Sequence, residues 1–362
     1  MLKCLLTFLL LSSASYAELD FEDATSPELI KSARALAMGG AYLSKVDDGW
    51  SAFYNPAGLG TVRKLQFHLA NIHLETNNGF LDATSGSGAF TDSFTKYGEA
   101  FKADGIRNLL LDKPGTSLAR LQLFPNITYR YFTLGYMYHQ QQRARLESVT
   151  SDFEVAERVD SGPVAAFNIS LFGGILKFGT SAVLLKRKEL QKDFAQNVPT
   201  SVTGGDYQEG TTTYLTAGMR LTLPVKPLPA FSLVYRNADS SGWYNVKGGG
   251  APKDIEKTVD ASASITPIVG RSMRVHLEVA LRDITDQYED VSTSRKLNAG
   301  MEIDFRRRVF VRFGYSDGWG SGGIGVRSRK FIFDLSTYAV ESGDGFRDKE
   351  DRRYALSISS GF

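Results

Sequence analysis

A single cysteine, Cys4, occurs among 362 residues, so no disulfide framework holds this chain together. Charge of one sign is also missing, because 42 Lys and Arg face 40 Asp and Glu. A chain this neutral lacks the basic footprint of a nucleic-acid binder. Long apolar runs are absent too. After the first residues no stretch reaches the roughly 18 apolar residues of a membrane helix, and the mean hydropathy is −0.19. Histidine is scarce and scattered, at His68, His73, His139 and His276. No HExxH, GxSxG or cysteine-based zinc pattern appears, so the sequence points to no metal, no cofactor and no enzyme. Apolar residues are not scarce: at 42% they exclude a disordered chain. A soluble globule and a membrane β-barrel share this average composition, and order along the chain must decide between them.

Lys3 opens a short apolar run from Leu5 to Leu11, and Ser15-Tyr16-Ala17 places small residues at a peptidase site. This pattern predicts a secretory signal peptide over 1–17, cut near Ala17. Cys4 leaves with it, which suits export through an oxidising compartment.

From about residue 63 onward the dominant period is two. Val275, Leu277, Val279 and Leu281 point one way, while Arg274, His276, Glu278, Ala280 and Arg282 point the other. Leu297, Ala299, Met301, Ile303 and Phe305 repeat the pattern against Asn298, Gly300, Glu302 and Asp304. Fourteen such segments are predicted as strands, near 64–75, 119–129, 132–145, 153–171, 175–189, 210–224 and 229–238. The series continues at 256–266, 272–284, 294–305, 309–316, 321–328, 330–341 and 352–362. Links after even-numbered strands are short, such as Arg130-Tyr131 and Arg306-Arg307-Arg308. Links after odd-numbered strands are long, apart from Ser316 to Gly320. That alternation gathers the turns at one end and the loops at the other, as in outer-membrane barrels.

In the last segment Tyr354, Leu356, Ile358 and the final Phe362 share a face. A terminal aromatic with apolar residues at every second position resembles the C-terminal signal read by the bacterial barrel-assembly machinery. A soluble sandwich gives no reason for loops at one end only. The predicted fold is therefore all-β: a 14-stranded antiparallel outer-membrane β-barrel with apolar residues facing lipid.

Before the first strand, residues 32–42 read Ser-Ala-Arg-Ala-Leu-Ala-Met-Gly-Gly-Ala-Tyr. Asp47-Asp48-Gly49-Trp50 and Asn55-Pro56-Ala57-Gly58-Leu59 follow. This stretch resembles the N-terminal signature of the FadL-like outer-membrane transporters of long-chain fatty acids and hydrophobic compounds. It resembles their PorV/PorQ-type relatives still more. The resemblance implies that 18–60 folds back as an internal plug, or hatch, with 61–362 forming the barrel. It implies plug roles for Arg34, Met38, Gly39, Gly40, Asp47, Asp48, Asn55, Pro56, Ala57 and Gly58. Local chemistry agrees: Pro56 biases Asn55 away from helix, Gly58 permits a reversal, and Asp47 or Asp48 can cap a short helix. A conduit element and a purely space-filling plug use the same residue types.

By strand parity Arg220, Asp260, Arg274, Glu278, Arg282, Glu302, Asp304, Arg312 and Asp334 face the lumen. Buried charges of both signs imply pairing, a wet conduit, or a ring that clamps Arg34. The longest loop, 76–118, is predicted to hold two short helices, with Phe94, Tyr97 and Phe101 and then Ile106, Leu109 and Leu110 at helical spacing. By the resemblance this loop is a first binding site for a hydrophobic ligand; as plain packing it is a lid. Gly318 to Gly323 matches GxGxxG but lies in an all-β region, where a dinucleotide site is not expected.

The sequence thus points to passive passage of hydrophobic or amphipathic small molecules across the outer membrane of a Gram-negative cell, with membrane lipid around the barrel. Two other roles stay open: a PorV-like docking or shuttle component for secreted proteins, and a structural surface barrel.

Overall fold

The computed structural model describes residues 19, 23 and 25–361, apart from 85–89, 197, 240–241, 271 and 344. The predicted signal peptide and Phe362 lie outside these residues.

The strands run in chain order. They are β1 (Gln66–Asn77), β2 (Gly115–Leu123), β3 (Asn126–Tyr129), β4 (Phe132–Leu146), β5 (Phe153–Leu171) and β6 (Leu176–Phe194). Next come β7 (Gln208–Thr222), β8 (Ala230–Arg236), β9 (Tyr244–Gly248), β10 (Thr258–Ile265), β11 (Ile268–Val269) and β12 (Met273–Leu281). The last are β13 (Leu297–Phe305), β14 (Val309–Ser316), β15 (Trp319–Arg327), β16 (Phe331–Glu341) and β17 (Glu350–Gly361).

Fourteen positions make the wall. β2 and β3 both pair with β1 and β4, so they form one position. It is interrupted at Phe124-Pro125, where proline has no N–H for the ladder. β10 and β11 both pair with β12 and are split at Thr266-Pro267. β9 pairs only with the outer part of β7 and is an extension rather than a wall strand. All pairings are antiparallel, and β1 joins β17 from His68↔Gly361 to Asn77↔Arg353, which closes the barrel. Closure leaves no open sheet edge in the wall.

The faces are those of an inside-out protein. In β12, Leu277 and Val279 are exposed while His276, Glu278 and Ala280 are buried. In β17, Tyr354 is exposed and Leu356 and Ile358 are half-buried on the same outer face; Arg353, Ala355 and Ser357 are buried on the other. Exposed aromatic and aliphatic side chains recur round the wall, among them Phe167, Phe178, Phe231 and Phe313. Such a surface costs free energy in water and none in hydrocarbon.

Turns at one end are short, with two residues at Arg130-Tyr131 and three at Arg306–Arg308. Loops at the other end are long except at Asp317-Gly318. There both residues have positive φ (52° and 85°), matching the backbone of a tight hairpin. β5 and β6, 19 residues each, exceed the roughly 9–11 residues needed to cross a bilayer. They project on the loop side and carry β7 and β9 with them.

The longest loop holds three helices, not the two expected, at Asn78–Thr84, Phe90–Glu99 and Ala103–Asp112. The first of these escapes periodicity because it is barely two turns long. It starts where Asn77 Oδ1 accepts the Phe80 N–H at 3.1 Å.

Residues 25–62 stay out of the wall. They form a short helix at Ala33–Ala37, a turn of helix at Ser51–Tyr54 and a 3-10 segment at Pro56–Thr61, nearly all buried. The first touches β14 to β17 and the last touches β5 to β7, strands on opposite sides of the ring. The main apolar core lies between this segment and the inner wall, where Trp50, Phe53 and Tyr54 meet Phe124, Met137, Val164 and Val183. Phe124 turns inward at the proline interruption and packs edge-on to Phe53, with ring centroids 5.0 Å apart.

Candidate functional site in the barrel interior

The interior is built from the polar parity of each strand and from residues 23–62. Four polar clusters join the two.

Arg34 donates two hydrogen bonds to Glu302, at 2.7 and 2.8 Å, and others to Asp47 at 2.7 Å and Tyr42 at 2.9 Å. Arg312 donates to Glu302 at 2.8 Å and to Asp334 at 2.6 Å. The chain Asp47–Arg34–Glu302–Arg312–Asp334 ties the first helix to β13, β14 and β16. A bidentate guanidinium–carboxylate pair is directional as well as charged, so it fixes orientation.

Asp260 accepts from Arg236 at 2.8 Å and Arg282 at 2.8 Å. Both arginines also reach Glu28, and each donates to a backbone carbonyl of the segment: Arg236 to Phe53 and Arg282 to Gly40. Glu278 accepts the Ser44 N–H at 2.8 Å and contacts His276 Nε2 at 3.0 Å, while Ser44 Oγ shares hydrogen bonds with Ser232 and Ser262.

The fourth cluster centres on Asp23, which accepts from Arg143 at 2.8 Å and Arg353 at 2.9 Å and also pairs with Lys31 and Arg120. Burial alone would raise the Asp23 pKa, but Arg143, Arg353, Lys31 and Arg120 outweigh it and hold the carboxyl well below 3.8. Burial lowers Lys31 to about 8, against the pull of Asp23.

The small residues of the segment lie flat on small residues of the wall. A Cβ on Gly314 would stand 2.2 Å from the Gly39 nitrogen, and one on Gly300 would stand 2.5 Å from the Met38 carbonyl. Gly39 (φ 60°) and Gly40 (φ 74°) occupy the left-handed region that favours glycine. Asn55 Oδ1 accepts the Ala57 N–H at 3.0 Å, and its amide donates to the Leu43 carbonyl at 3.0 Å. Gly179 and Gly218 leave room for Asn55-Pro56, and Gly58 packs on Val46. The helix expected after Asp47 or Asp48 begins at Ser51 with Trp50 at its N-cap. Asp48 accepts the Trp50 N–H at 3.1 Å and so stands two positions before the cap.

Among the residues predicted for the lumen, Asp260, Glu278, Arg282, Glu302 and Arg312 are buried in these clusters, and Asp304 and Asp334 are nearly so. Asp304 accepts the Arg307 N–H at the turn. Arg220 is half-buried, and its Nε and Nη1 have no hydrogen-bond partner. Arg274 departs from the expectation: it has the right parity but sits at the start of β12, by the short turns, and is exposed. Asp23, Glu28, Arg120, Arg143, Arg236 and Arg353 were missed. The arginines have the inward parity of their strands, a signal that could have found them; Asp23 and Glu28 lie in irregular chain and give none.

The loop helices cover the barrel mouth. Ile106 and Leu110 are buried with Phe80, Leu146, Phe153 and Phe194, and Tyr97, Phe101 and Leu109 pack against them. Tyr97 donates from its hydroxyl to the Arg120 carbonyl at 2.5 Å. The side chain of Phe94 lies outside the described residues. Between the N-terminal segment and the inner wall is a polar cavity of about 40 Å³, room for a few waters, bordered by Glu28, Lys31, His139, Arg158 and Asp160. An apolar groove of about 590 Å³ lies instead on the outer wall, between Phe231, Ile265, Leu277 and Met301.

No family model matches the sequence, and no curated protein matches it. Solved structures do align with it. A deltaS2S3 mutant of the monoaromatic hydrocarbon channel TodX aligns over 92% of this chain and 99% of its own, with TM-score 0.54 and 12% identity. The toluene transporter TbuX of Ralstonia pickettii aligns over 94% of this chain and 99% of its own, with TM-score 0.46 and 10% identity. CdiB from Acinetobacter baumannii aligns over 83% of this chain, with TM-score 0.36 and 9% identity, and this chain spans 60% of its length. At 12% identity the likeness to the TodX mutant is one of fold.

Proposed function

We propose that this chain is an outer-membrane barrel that passes small hydrophobic or amphipathic molecules, with residues 18–60 as an internal plug. The observation that carries the reading is the fourteen-position barrel with an enclosed N-terminal segment, similar over nearly its whole length to a hydrocarbon channel. The apolar exterior suits lipid, and the Met38-Gly39 and Asn55-Pro56 stretches are those that resemble FadL-like and PorV/PorQ-type barrels. Export by a signal peptide cut near Ala17, and assembly through the outward Tyr354, Leu356 and Ile358 with Phe362, belong to the same reading. No catalysis is assigned.

In this reading the described state is closed. Passage needs the loop helices to lift and the clamps on Arg34, Gly40 and Phe53 to loosen. The packed faces of Ile106 and Leu110 favour a lid over an open first binding site.

Uptake of toluene and of oleate into proteoliposomes tests the proposal. Wild-type barrels should admit at least one of them faster than empty vesicles, and deleting 25–62 should raise leakage of polar dyes. Uptake equal to that of empty vesicles, with a secreted protein co-purifying, would replace transport by the docking role.

A further inference from the structure

The short-turn end carries a charge pattern that the passage of molecules does not use. The linking segments there are 62–65, 130–131, 172–175, 223–229, 266–272, 306–308 and 328–330, and they contain ten Lys or Arg and no Asp or Glu. The loop end is different: 282–296 alone sets Asp283, Asp286, Glu289 and Asp290 beside Arg295 and Lys296. Antiparallel up-and-down topology puts every one of the basic segments on the same rim.

Nine of these ten cations lie among the described residues, and all nine are exposed. Arg63, Arg306, Arg307, Arg308 and Arg329 are exposed, and none of them forms an ion pair among the described residues. The Arg306 guanidinium reaches the Ser272 hydroxyl at 3.4 Å, and the backbone of Arg307, not its guanidinium, meets Asp304. The rim also borders the apolar wall without a gap. Tyr129 and Tyr131 flank Arg130, Phe305 and Val309 flank the triple arginine, and Phe331 follows Lys330, all exposed on the outer face. Amphipathic aromatics settle where hydrocarbon gives way to headgroups. Basic side chains beside them sit at the depth of lipid phosphates, which planar guanidinium groups bind through two hydrogen bonds.

We propose that this rim is a binding surface for the anionic glycerophospholipid headgroups of the leaflet at the short-turn side. The collar holds a shell of lipid phosphates and fixes the depth and tilt of the barrel. An acidic protein would complement the charge equally, but it would not explain aromatics at the same level as the cations. The proposal rests on the membrane placement put forward above.

The test uses the full chain purified in a neutral detergent, titrated with dioleoylphosphatidylglycerol or dioleoylphosphatidylcholine and read by native mass spectrometry. Phosphatidylglycerol should be retained in preference, and its binding should fall as salt rises. R306Q/R307Q/R308Q should weaken it by about tenfold or more, and R329Q/K330Q should weaken it in the same direction. Heat-modifiable migration on gels confirms that each variant is folded. K247Q/K253Q, on the loop side, should bind as wild type does. Equal retention of the two lipids, or unchanged binding in both rim variants, overturns the proposal. Glycerol phosphate competing at the lipid's own concentration would reduce the rim to an ion site. Tighter binding of a polyglutamate peptide would assign it to a protein partner. Insertion of the wild type into phosphatidylcholine vesicles checks the membrane placement separately, so either idea can fail alone.

Discussion

Replacing Glu302 by Gln should unseat the N-terminal segment while sparing the barrel. Glu302 is 1% exposed and accepts three charge-assisted hydrogen bonds, two from Arg34 and one from Arg312. Removing one partner of a buried ion pair costs about 3–5 kcal/mol, because the charge left behind is uncompensated. Here Arg34 keeps Asp47 and Arg312 keeps Asp334, so the lower end applies, about 3 kcal/mol. The cost falls on the contact between the first helix and β13, not on the wall ladder, whose hydrogen bonds are untouched. Opening of residues 33–40 should therefore become about a hundredfold more frequent. Amide hydrogen exchange read by mass spectrometry measures this: peptides covering 33–40 should speed up and those from β4 to β6 should not. R34M/E302M should recover only part of the protection, since it removes both charges of this pair but leaves Asp47 without Arg34 and Arg312 with Asp334 alone. Unchanged exchange at 33–40 in E302Q would refute the clamp, and equal acceleration everywhere would show that Glu302 supports the barrel rather than the segment.

Gly314→Ala places a methyl 2.2 Å from the backbone nitrogen of Gly39, where no side chain can yield, so exchange at 38–40 should rise as in E302Q. Leu110→Ala removes fully buried volume under the loop helices at a cost of about 2–4 kcal/mol. Toluene entry into proteoliposomes should quicken in that variant; slower entry would return the loop to ligand binding. Asp23 has a folded pKa held below its unfolded value, so its contribution is present above about pH 4 and is lost as pH falls through the folded pKa. Protease cleavage within 25–62 should accordingly increase on acidification below pH 4. D23N should show part of the increase already at neutral pH and a weaker pH dependence, the remainder coming from Glu28 and Asp47, which hold the same segment through ion pairs of their own.

Much of the barrel was legible in the chain itself. A strand that alternates Val275-His276-Leu277-Glu278 has only two ways to satisfy its faces, and turns of two or three residues at one end forbid most topologies. Strand number, direction and inward parity follow from that local periodicity, since each residue's face depends only on its neighbours. The boundaries moved by a few residues where loops kept the ladder going, as at Phe194 and Gly115. The partners of the buried charges were not legible. Arg34 and Glu302 are separated by 268 residues, and nothing local says that they share two hydrogen bonds. The same holds for Asp23, which draws Arg120, Arg143 and Arg353 from three strands into one cluster. Parity told that these arginines point inward but not what they meet, because that depends on where an irregular segment settles inside a closed ring. The loop helices show the same division: spacing marked Ile106 and Leu110 as one apolar face, and only the barrel mouth, with Phe153 and Phe194, decided what covers it. Periodicity is a property of the strand; charge pairing and lid packing are properties of the enclosure that the strands build.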